Sequence, residues 1–468
     1  MEKRKRSLGV LILAAGKGTR MRSETPKVLH KMLEEPILYY PLRAAADAGF
    51  SDVAVVVGSG GEYVSSWVGE EFPESSIIWQ HEQKGTAHAA KLAQQWWSAF
   101  DDVMILPGDA PLITASTLSA FAASHQLGSN VCSFLSFMTD DPAGYGRVVR
   151  GGEKICVVEH RDATDEQLRI KEVNSGMYIF DTKALAAVID RISSGNAQGE
   201  YYLPDALSLA ADDGGSVNAV LADSPDEFLG VNDQLQLAKA AGVMRRRIVE
   251  GFMINNGLQC MDPESVWIGP KVKIGRGAVI HPSVQLWGSC VVEDGAFIGS
   301  FTVLRNSTVH ACANLKGSVR MNDSVVGERA SAGPFAFMRE HAELMENAHV
   351  GRFVEIKKSS VGKDSKVPHL SYIGDAQIGE GTNIGAGTIT CNYDGEKKNP
   401  TKIGRGCLIG SDTMFVAPVE VGDCVSTAAG SVITENIPDG ALAIARARQI
   451  NKNEWSRQQR QKNKTDKA

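Results

Sequence analysis

The strongest constraint on this chain is a spacing of six. Ile268, Ile274, Ile280, Leu286, Val292, Ile298 and Leu304 follow one another at six-residue intervals. Gly269, Gly275, His281, Glu293 and Gly299 recur just behind them. A helix repeats about every 3.6 residues and a strand about every 2, so neither sustains this period. A coil of short strands does: each hexapeptide builds one flat face and its aliphatic side chain points inward. Such repeats mark a parallel β-helix, expected here to be left-handed, whose inward residues stack into one column. The phase drifts after Leu304, then returns at Val350 and Ile356, at Ile378 and Ile384, and at Ile403, Ile409, Phe415, Val421 and Ile433. It breaks hardest over TCNYDGEKKNPTK, Thr390 to Lys402. A polar insertion with Gly and Pro is expected to loop out from a corner, and loops on rigid scaffolds are where binding residues gather. Three-sided coils pack wall against wall, so a homotrimer is the expected assembly.

At 468 residues the chain has room for two or three domains with sizeable cores. The net charge of −6 gives no reason to expect nucleic acid as a partner. The basic start (Lys3, Arg4, Lys5, Arg6) precedes SLGVLILAAG, but that apolar run is short and flows into a glycine loop rather than a cleavage site. Nothing approaches the roughly 20 apolar residues of a membrane span, so no membrane association is expected. The eight cysteines are scattered without a Cys-x-x-Cys pair, which suggests neither zinc nor a disulfide framework and fits a reducing cytoplasm.

From Leu8 to about Ala222, apolar strands (LGVLILAAG, VAVVVGS, SIIWQ, VMILPGD, VCSFLSF, KICVVEH, GMYIFD, VNAVLA) alternate with helical stretches such as Pro36–Ala48 and Ala87–Phe100. That alternation predicts a Rossmann-like, three-layer α/β domain on a mixed, mainly parallel sheet. Ligands in such sheets bind beyond the carboxyl ends of the strands, where AAGKGTRM, Ala14 to Met21, is placed. Gly16 and Gly18 let the backbone approach a phosphate, and Lys17, Arg20 and Lys27 supply charge. The loop is neither a dinucleotide fingerprint, because Met21 stands at the third glycine, nor a P-loop. By itself it is equally a tight turn.

The longer string Leu13 to His30, LAAGKGTRM…PKVLH, resembles the sugar-nucleotide pyrophosphorylases. The resemblance continues through QxEQxGTAHA at Gln80–Ala89, Gly108–Asp109, GYGR at Gly144–Arg147, VVEH at Val157–His160, NSG at Asn174–Gly176 and GVN at Gly230–Asn232. With the hexapeptide half attached, nearly the whole chain is similar to the bifunctional N-acetylglucosamine-1-phosphate uridyltransferase/glucosamine-1-phosphate acetyltransferases. The resemblance implies that Asp109 and Asn232 hold Mg²⁺, and that Lys27 and the loop Leu13, Ala14, Ala15 and Gly16 hold the nucleotide phosphates. Gln80, Gly85 and Thr86 would read the uracil; Gly146, Glu159 and Asn174 would bind the sugar. The chemistry suits these residue types. A sugar 1-phosphate is already an anionic nucleophile, so phosphoryl exchange needs charge neutralisation and in-line positioning rather than a strong base. A hard cation with few protein oxygens and several phosphate oxygens is how Mg²⁺ is normally held. On local chemistry alone the structural readings lead: an Asp after a strand is often a turn or helix cap, and Asn174 could simply shape the NSG turn. Pro107 stands where relatives often carry tyrosine, which puts one hydroxyl contact in doubt.

In the second half, Arg339, Lys357, His369, Tyr372 and Asn383 match the family's acetyltransferase pattern. Arg339 and Lys357 are eighteen residues apart, about one turn of the coil, so they are expected on one face of successive rungs, suited to a sugar phosphate dianion. His369, in a stretch that breaks the phase, is expected at an irregular corner as the base that takes a proton from the 2-amino group. By resemblance Asn392 and Tyr393 contact sugar and acetyl carrier across a subunit boundary, and Ala386, Ser411, Ala429 and Arg446 contact coenzyme A. The domains expected are 1–232, a helical linker 233–255 with Arg245–Arg247 as a solvated face, and 256–468 with a basic, frayed tail. The implied substrates are UTP, glucosamine 1-phosphate and acetyl-CoA; the product is a precursor of peptidoglycan and lipopolysaccharide. Two other readings share the layout: a pyrophosphorylase whose β-helix is only an oligomerisation scaffold, and a non-enzymatic nucleotide-exchange subunit of translation initiation. Arg339, Lys357, His369 and Tyr372 argue against the first, and intact AAGKGTRM, Lys27 and Asp109 against the second.

Overall fold

The computed structural model describes residues 6–128, 130–151 and 154–465; Lys3, Arg4 and Lys5 of the basic start lie outside them. Contacts divide the chain into two compact units, Met1–Arg247 and Ile248–Ala468.

The first unit is built on a central sheet of nine strands among the described residues: β1 (Leu8–Ala14), β2 (Val53–Val57), β3 (Ser76–Trp79), β4 (Asp102–Pro107), β5 (Cys132–Met138), β6 (Arg147–Gly151), β7 (Lys154–Val158), β8 (Glu172–Asp181) and β9 (Val217–Leu221). The sheet runs β9-β5-β8-β4-β1-β2-β3, with β6 and β7 forming a hairpin off β8. Only β8 runs against its neighbours in the main path, so the sheet is mixed and mainly parallel as expected. Val10, Ile12, Val55, Met104 and Leu106 face one apolar layer, while Leu11, Ala54, Val56, Val103 and Ile105 face the other. Burial on both faces is why these strands read as continuous apolar runs rather than alternating ones. The expected helix Ala87–Phe100 is instead two pieces, Thr86–Leu92 and Gln94–Trp97, broken at Ala93. Strand β6 has too few apolar residues to announce itself in the sequence.

The second unit is three parallel stacks of short strands, of eleven, ten and nine members. The chain visits the first, second and third wall in turn, as a left-handed hexapeptide coil requires. The drift after Leu304 has a simple cause. The step from the second to the third wall shortens to five residues at Leu304→Val309, Met321→Val326, Ile356→Val361 and Ile373→Ile378, and all eight residues stay in one buried column. At these corners the column continues and only its spacing changes. Where rungs approach closely, glycine is obligatory: a Cβ on Gly404 would lie 2.5 Å from the carbonyl carbon of Gly422.

Helix Gln234–Asn256 ends at Gly257, whose φ of +64° supplies the left-handed stop. Its three arginines are not a uniform solvated face. Arg246 is exposed, but Arg245 and Arg247 are partly buried, and Arg247 donates to the Leu112 carbonyl at 2.7 Å. The tail also differs from the frayed end expected, since Trp455–Thr465 is helical. Among the described residues no helix is long and apolar enough to cross a membrane.

Candidate active sites

In the first unit the carboxyl ends of β1 and β4 open onto a cleft of about 610 Å³. Leu13, Ala14, Ala15, Gly16, Lys27, Gln80, Gly85, Thr86, Asp109, Gly146, Glu159 and Asn174 all line it. These residues span more than a hundred positions, and the sheet gathers them because its strand ends share one edge.

The glycine loop earns its composition at two points. Gly18 has a φ of +60°, and a Cβ there would lie 2.6 Å from the Lys27 Cβ. A Cβ on Gly16 would meet nothing within 4 Å, so the backbone there is open to the cleft. Lys27 Nζ is ion-paired with Asp109 and donates to Asn232 Oδ1 at 3.2 Å, and Arg20 donates to the same oxygen at 2.8 Å. A backbone bond from Val231 N–H to the Asp109 carbonyl, 2.9 Å, holds those two segments side by side. The oxygens gathered at this end of the cleft are therefore one carboxylate and one amide oxygen, already arranged around a cationic group. Two hard oxygens fit Mg²⁺ that takes its remaining ligands from phosphate and water. Among the described residues no group of three or more His, Cys, Asp or Glu could hold a metal without such help.

Asn174 donates from Nδ2 to the Tyr178 hydroxyl at 2.6 Å, and Gly146 accepts from the Asn174 N–H at 2.9 Å. Burial, aided by Asp162 and Asp205, raises the Glu159 carboxyl above its usual range. The sequence reading missed Glu200, Leu203 and Pro204, which also line the cleft. Their segment is tied to the Gly85–Thr86 corner by Leu203 N–H to Thr86 Oγ1, 3.0 Å, and Ala87 N–H to the Tyr201 carbonyl, 3.0 Å. Nothing in their local pattern signals this; Gln83 and Tyr145 were at least inside the motifs.

In the second unit, β-pairing places Arg339 opposite Lys357, as the eighteen-residue spacing requires. Lys357 is 9% exposed, and burial works against its charge, but Glu340 and Asp375 keep its pKa above the ordinary value. Its Nζ lies 3.2 Å from Glu340 and 3.5 Å from Asp375. Arg339 Nε donates to Glu355 at 2.8 Å and the guanidinium also pairs with Glu340. Asn392 Nδ2 donates to Asp375 at 2.6 Å and lies 3.3 Å from the Tyr372 hydroxyl. Gly374 makes room for that meeting, since its Cβ would fall 2.5 Å from the Tyr372 hydroxyl and 2.6 Å from Asn392 Nδ2. Glu340, Lys358 and Asp375 hold left-handed backbone (φ 53°, 46° and 51°) at this corner, as Asn306 and Asp323 do on earlier rungs, so the conformation is a feature of the coil's turn. The carboxylates Glu340, Glu355 and Asp375 were not singled out by the sequence.

His369 is exposed at the end of strand Lys366–His369 on the first wall, beside Leu370 with φ 50°. Its carbonyl accepts from Gly387 N–H, while the Ala386 carbonyl accepts from Asp412 N–H and the Ser411 carbonyl from Gly430 N–H. His369, Ala386, Ser411 and Ala429 therefore mark one corner on successive rungs, and Arg446 Cδ lies 3.8 Å from where a Gly430 Cβ would be. Asn383 stands apart from the Arg339 cluster, on the first wall opposite Lys366. Tyr393 is 57% exposed on the insertion, with Lys398 Nζ 4.5 Å above its ring. Asp394 shapes that insertion: the N–H groups of Lys397 and Glu396, then the Asn399 amide, bring its pKa down to about 2.

Known proteins match both halves of the sequence. A model of the MobA-like NTP transferase domain matches residues 10–150, and one of the bacterial transferase hexapeptide repeats matches 271–306 and 400–435. The "Bifunctional protein GlmU" of Heliobacterium modesticaldum is 44% identical over 441 residues, covering 94% of this chain and 95% of its own. Its namesake from Fervidobacterium nodosum is 42% identical over 454 residues (97% and 98%), and that from Staphylococcus epidermidis 42% over 445 (94% and 98%). With both halves of those relatives matched end to end, the chain belongs to the GlmU family of bifunctional proteins.

Proposed function

We propose that this protein acetylates the 2-amino group of glucosamine 1-phosphate with acetyl-CoA, then transfers UMP from UTP to the resulting N-acetylglucosamine 1-phosphate, releasing pyrophosphate. The observation that carries the reading is the convergence, in one cleft, of the glycine loop, Lys27 and Asp109 with Gln80, Gly146, Glu159 and Asn174. The product, UDP-N-acetylglucosamine, feeds peptidoglycan and lipopolysaccharide, and the nucleotide and thioester substrates assign both steps to the cytoplasm.

For uridylyl transfer, Gly16 and Lys27 hold the triphosphate, and Gln80, Gly85 and Thr86 read uracil. Glu159, Asn174 and Gly146 orient the sugar so that its phosphate oxygen lies in line with the α-phosphorus. Asp109 and Asn232 would hold Mg²⁺, which when bound supplies neutralisation of the phosphate charge. For acetyl transfer, Arg339 and Lys357 bind the sugar phosphate. His369 takes the proton from the amine as nitrogen attacks the thioester carbonyl, and the carbon–sulfur bond breaks to release coenzyme A. Tyr372, Asn383, Asn392 and Tyr393 position the sugar and acetyl group, while Ala386, Ser411, Ala429 and Arg446 line the coenzyme A path. Exposed His369 and Tyr393 leave this site open on one chain, and a neighbouring subunit of a trimer would close it. The cluster of buried Lys357 with Arg339, Tyr372 and Asn392 disfavours a coil that serves only as scaffold.

Incubation with glucosamine 1-phosphate, acetyl-CoA, UTP and Mg²⁺, with products separated by mass, tests the reading. Both acetylated sugar phosphate and nucleotide sugar are expected; absence of either removes that half. Light scattering of the full chain should return a trimer mass, and a stable monomer would rule the shared site out.

A further inference from the structure

Gln80 is 3% exposed and lines the nucleotide cleft. One end of its amide lies 3.2 Å from the Gly85 carbonyl oxygen and 3.0 Å from His88 Nδ1. A carbonyl oxygen can only accept, so the amide atom facing it must be nitrogen. That nitrogen also faces His88, so Nδ1 must be the bare acceptor and the ring neutral with its hydrogen on Nε2. Both amide hydrogens are thereby engaged by the protein. Oε1 is what remains for a ligand, and it offers only lone pairs.

We infer that His88 is a positioning residue for base choice: its neutral imidazole holds the Gln80 amide so that Oε1 faces the cleft, which selects a pyrimidine presenting an N–H donor, as uracil does at N3, over one presenting a lone pair, as cytosine does. The inference rests on the uridyltransferase reading and deepens it. A buried acceptor facing a lone pair is penalised, because neither group recovers the hydrogen bond it lost from water. Protonation of His88 would turn Nδ1 into a donor aimed at the hydrogens of Nε2 and release the amide. The surroundings resist this. Burial first, then Lys84 and Lys91, hold the His88 pKa below its usual value against the opposing pull of Glu82. Lys84 is itself ion-paired with Glu82.

The test is the ratio of kcat/KM for UTP to that for CTP, measured with N-acetylglucosamine 1-phosphate on the full-length protein, its His88→Leu variant and its His88→Asn variant. Leu removes the acceptor and should lower the ratio by about tenfold or more; Asn can return a side-chain oxygen to the place of Nδ1 and should restore most of it. A general packing defect would lower both rates together and leave the ratio alone. In the unmodified protein the ratio should stay level at neutral pH and fall as pH drops below the ordinary imidazole value of 6.5, whereas His88→Asn should show no such fall. The ratio removes the titration of the triphosphate, which both nucleotides share. No turnover of UTP by the unmodified protein would defeat the uridyltransferase reading itself. Normal UTP turnover with an unchanged ratio in His88→Leu, or a ratio in the unmodified protein that ignores pH, would overturn the role given to His88 alone.

Discussion

The two units collect their functional residues by opposite means. In the first, the cleft draws on loops from distant parts of the chain, and proximity comes from strand ends sharing an edge of the sheet. In the second, Arg339 meets Lys357 because the coil returns to the same place one turn later. The charge arrangement differs as well. Lys27 reaches Asp109 and Asn232 inside a concave, only partly exposed site, where its charge is less screened than on an open surface. Arg339 and Lys357 sit on an outer wall, already balanced by Glu340, Glu355 and Asp375. A concave site can be completed by substrate alone. A site on a flat wall, with its histidine exposed, calls for a second surface to cover it.

The largest effect expected on this contrast comes from Asp109→Ala. It removes the carboxylate proposed to help hold the metal and leaves Lys27 without its ion-pair partner. Uridylyl transfer should drop by at least about 10³-fold, the several kcal/mol that charge stabilisation at phosphoryl oxygens supplies. Acetyl transfer by the same protein should be unchanged. Separate assays of the two half-reactions decide it, and full uridylyl transfer would show the charge-holding group to lie elsewhere.

His369→Ala is the mirror image. General-base assistance contributes about 10²–10⁴-fold, and acetyl transfer should slow within that range. Binding of the sugar phosphate should persist through Arg339 and Lys357, and uridylyl transfer from ready-made N-acetylglucosamine 1-phosphate should be unaffected. Acetylation at the normal rate across pH would reduce His369 to a corner residue.

The same contrast governs what was legible in the sequence. The coil could be read by arithmetic, because every turn repeats one physical demand for an inward aliphatic. The reading lost phase at Leu304 only because a shorter corner satisfies that demand at Val309 just as well. Glu340, Glu355 and Asp375 escaped notice because acidic residues at solvated corners are ordinary, and only the fold brings them onto Arg339 and Lys357. In the first unit no period links Gln80 to Leu203 or Lys27 to Asn232. Local chemistry left the glycine loop ambiguous, and the resemblance to a known family is what joined the pieces. The Glu200–Pro204 segment was invisible to both, since its place depends on backbone bonds to the Gly85 corner. Arg247 misled for a related reason: on a helix read alone, nothing announces the Leu112 carbonyl that receives it.

A third test addresses how firmly the wall supports its site. Ile356 is fully buried in the column, in the strand whose outward residues are Glu355 and Lys357. Ile356→Ala should cost about 2–5 kcal/mol through lost burial and the cavity left behind. In a coil, where each rung touches only its neighbours, that loss should appear as an earlier melting transition with reduced acetyl transfer near it. Uridylyl transfer measured well below the transition should be normal. A melting curve identical to the parent's would mean that the rungs relax around the cavity.

The smallest and most discriminating change is Asp375→Asn. The Asp375 carboxylate accepts from Asn392 Nδ2 at 2.6 Å and lies 3.5 Å from Lys357 Nζ. With its other contact to the Tyr372 hydroxyl, the Asn392 amide is held so that its oxygen is the free end, suited to a donor on the aminosugar. An amide at position 375 keeps the shape but loses the charge. The grip on Asn392 weakens, because a hydrogen bond to a carboxylate is stronger than one to an amide, and kcat for acetyl transfer should fall about tenfold. Binding should move the other way. One negative charge fewer beside Lys357 leaves the cation less neutralised, so the phosphate dianion should bind more tightly and KM should fall with kcat. Structural damage would instead raise KM as kcat drops. A rise in KM would therefore show Asp375 to be a prop for the corner, and a joint fall would show it to set the balance between holding the phosphate and aiming Asn392.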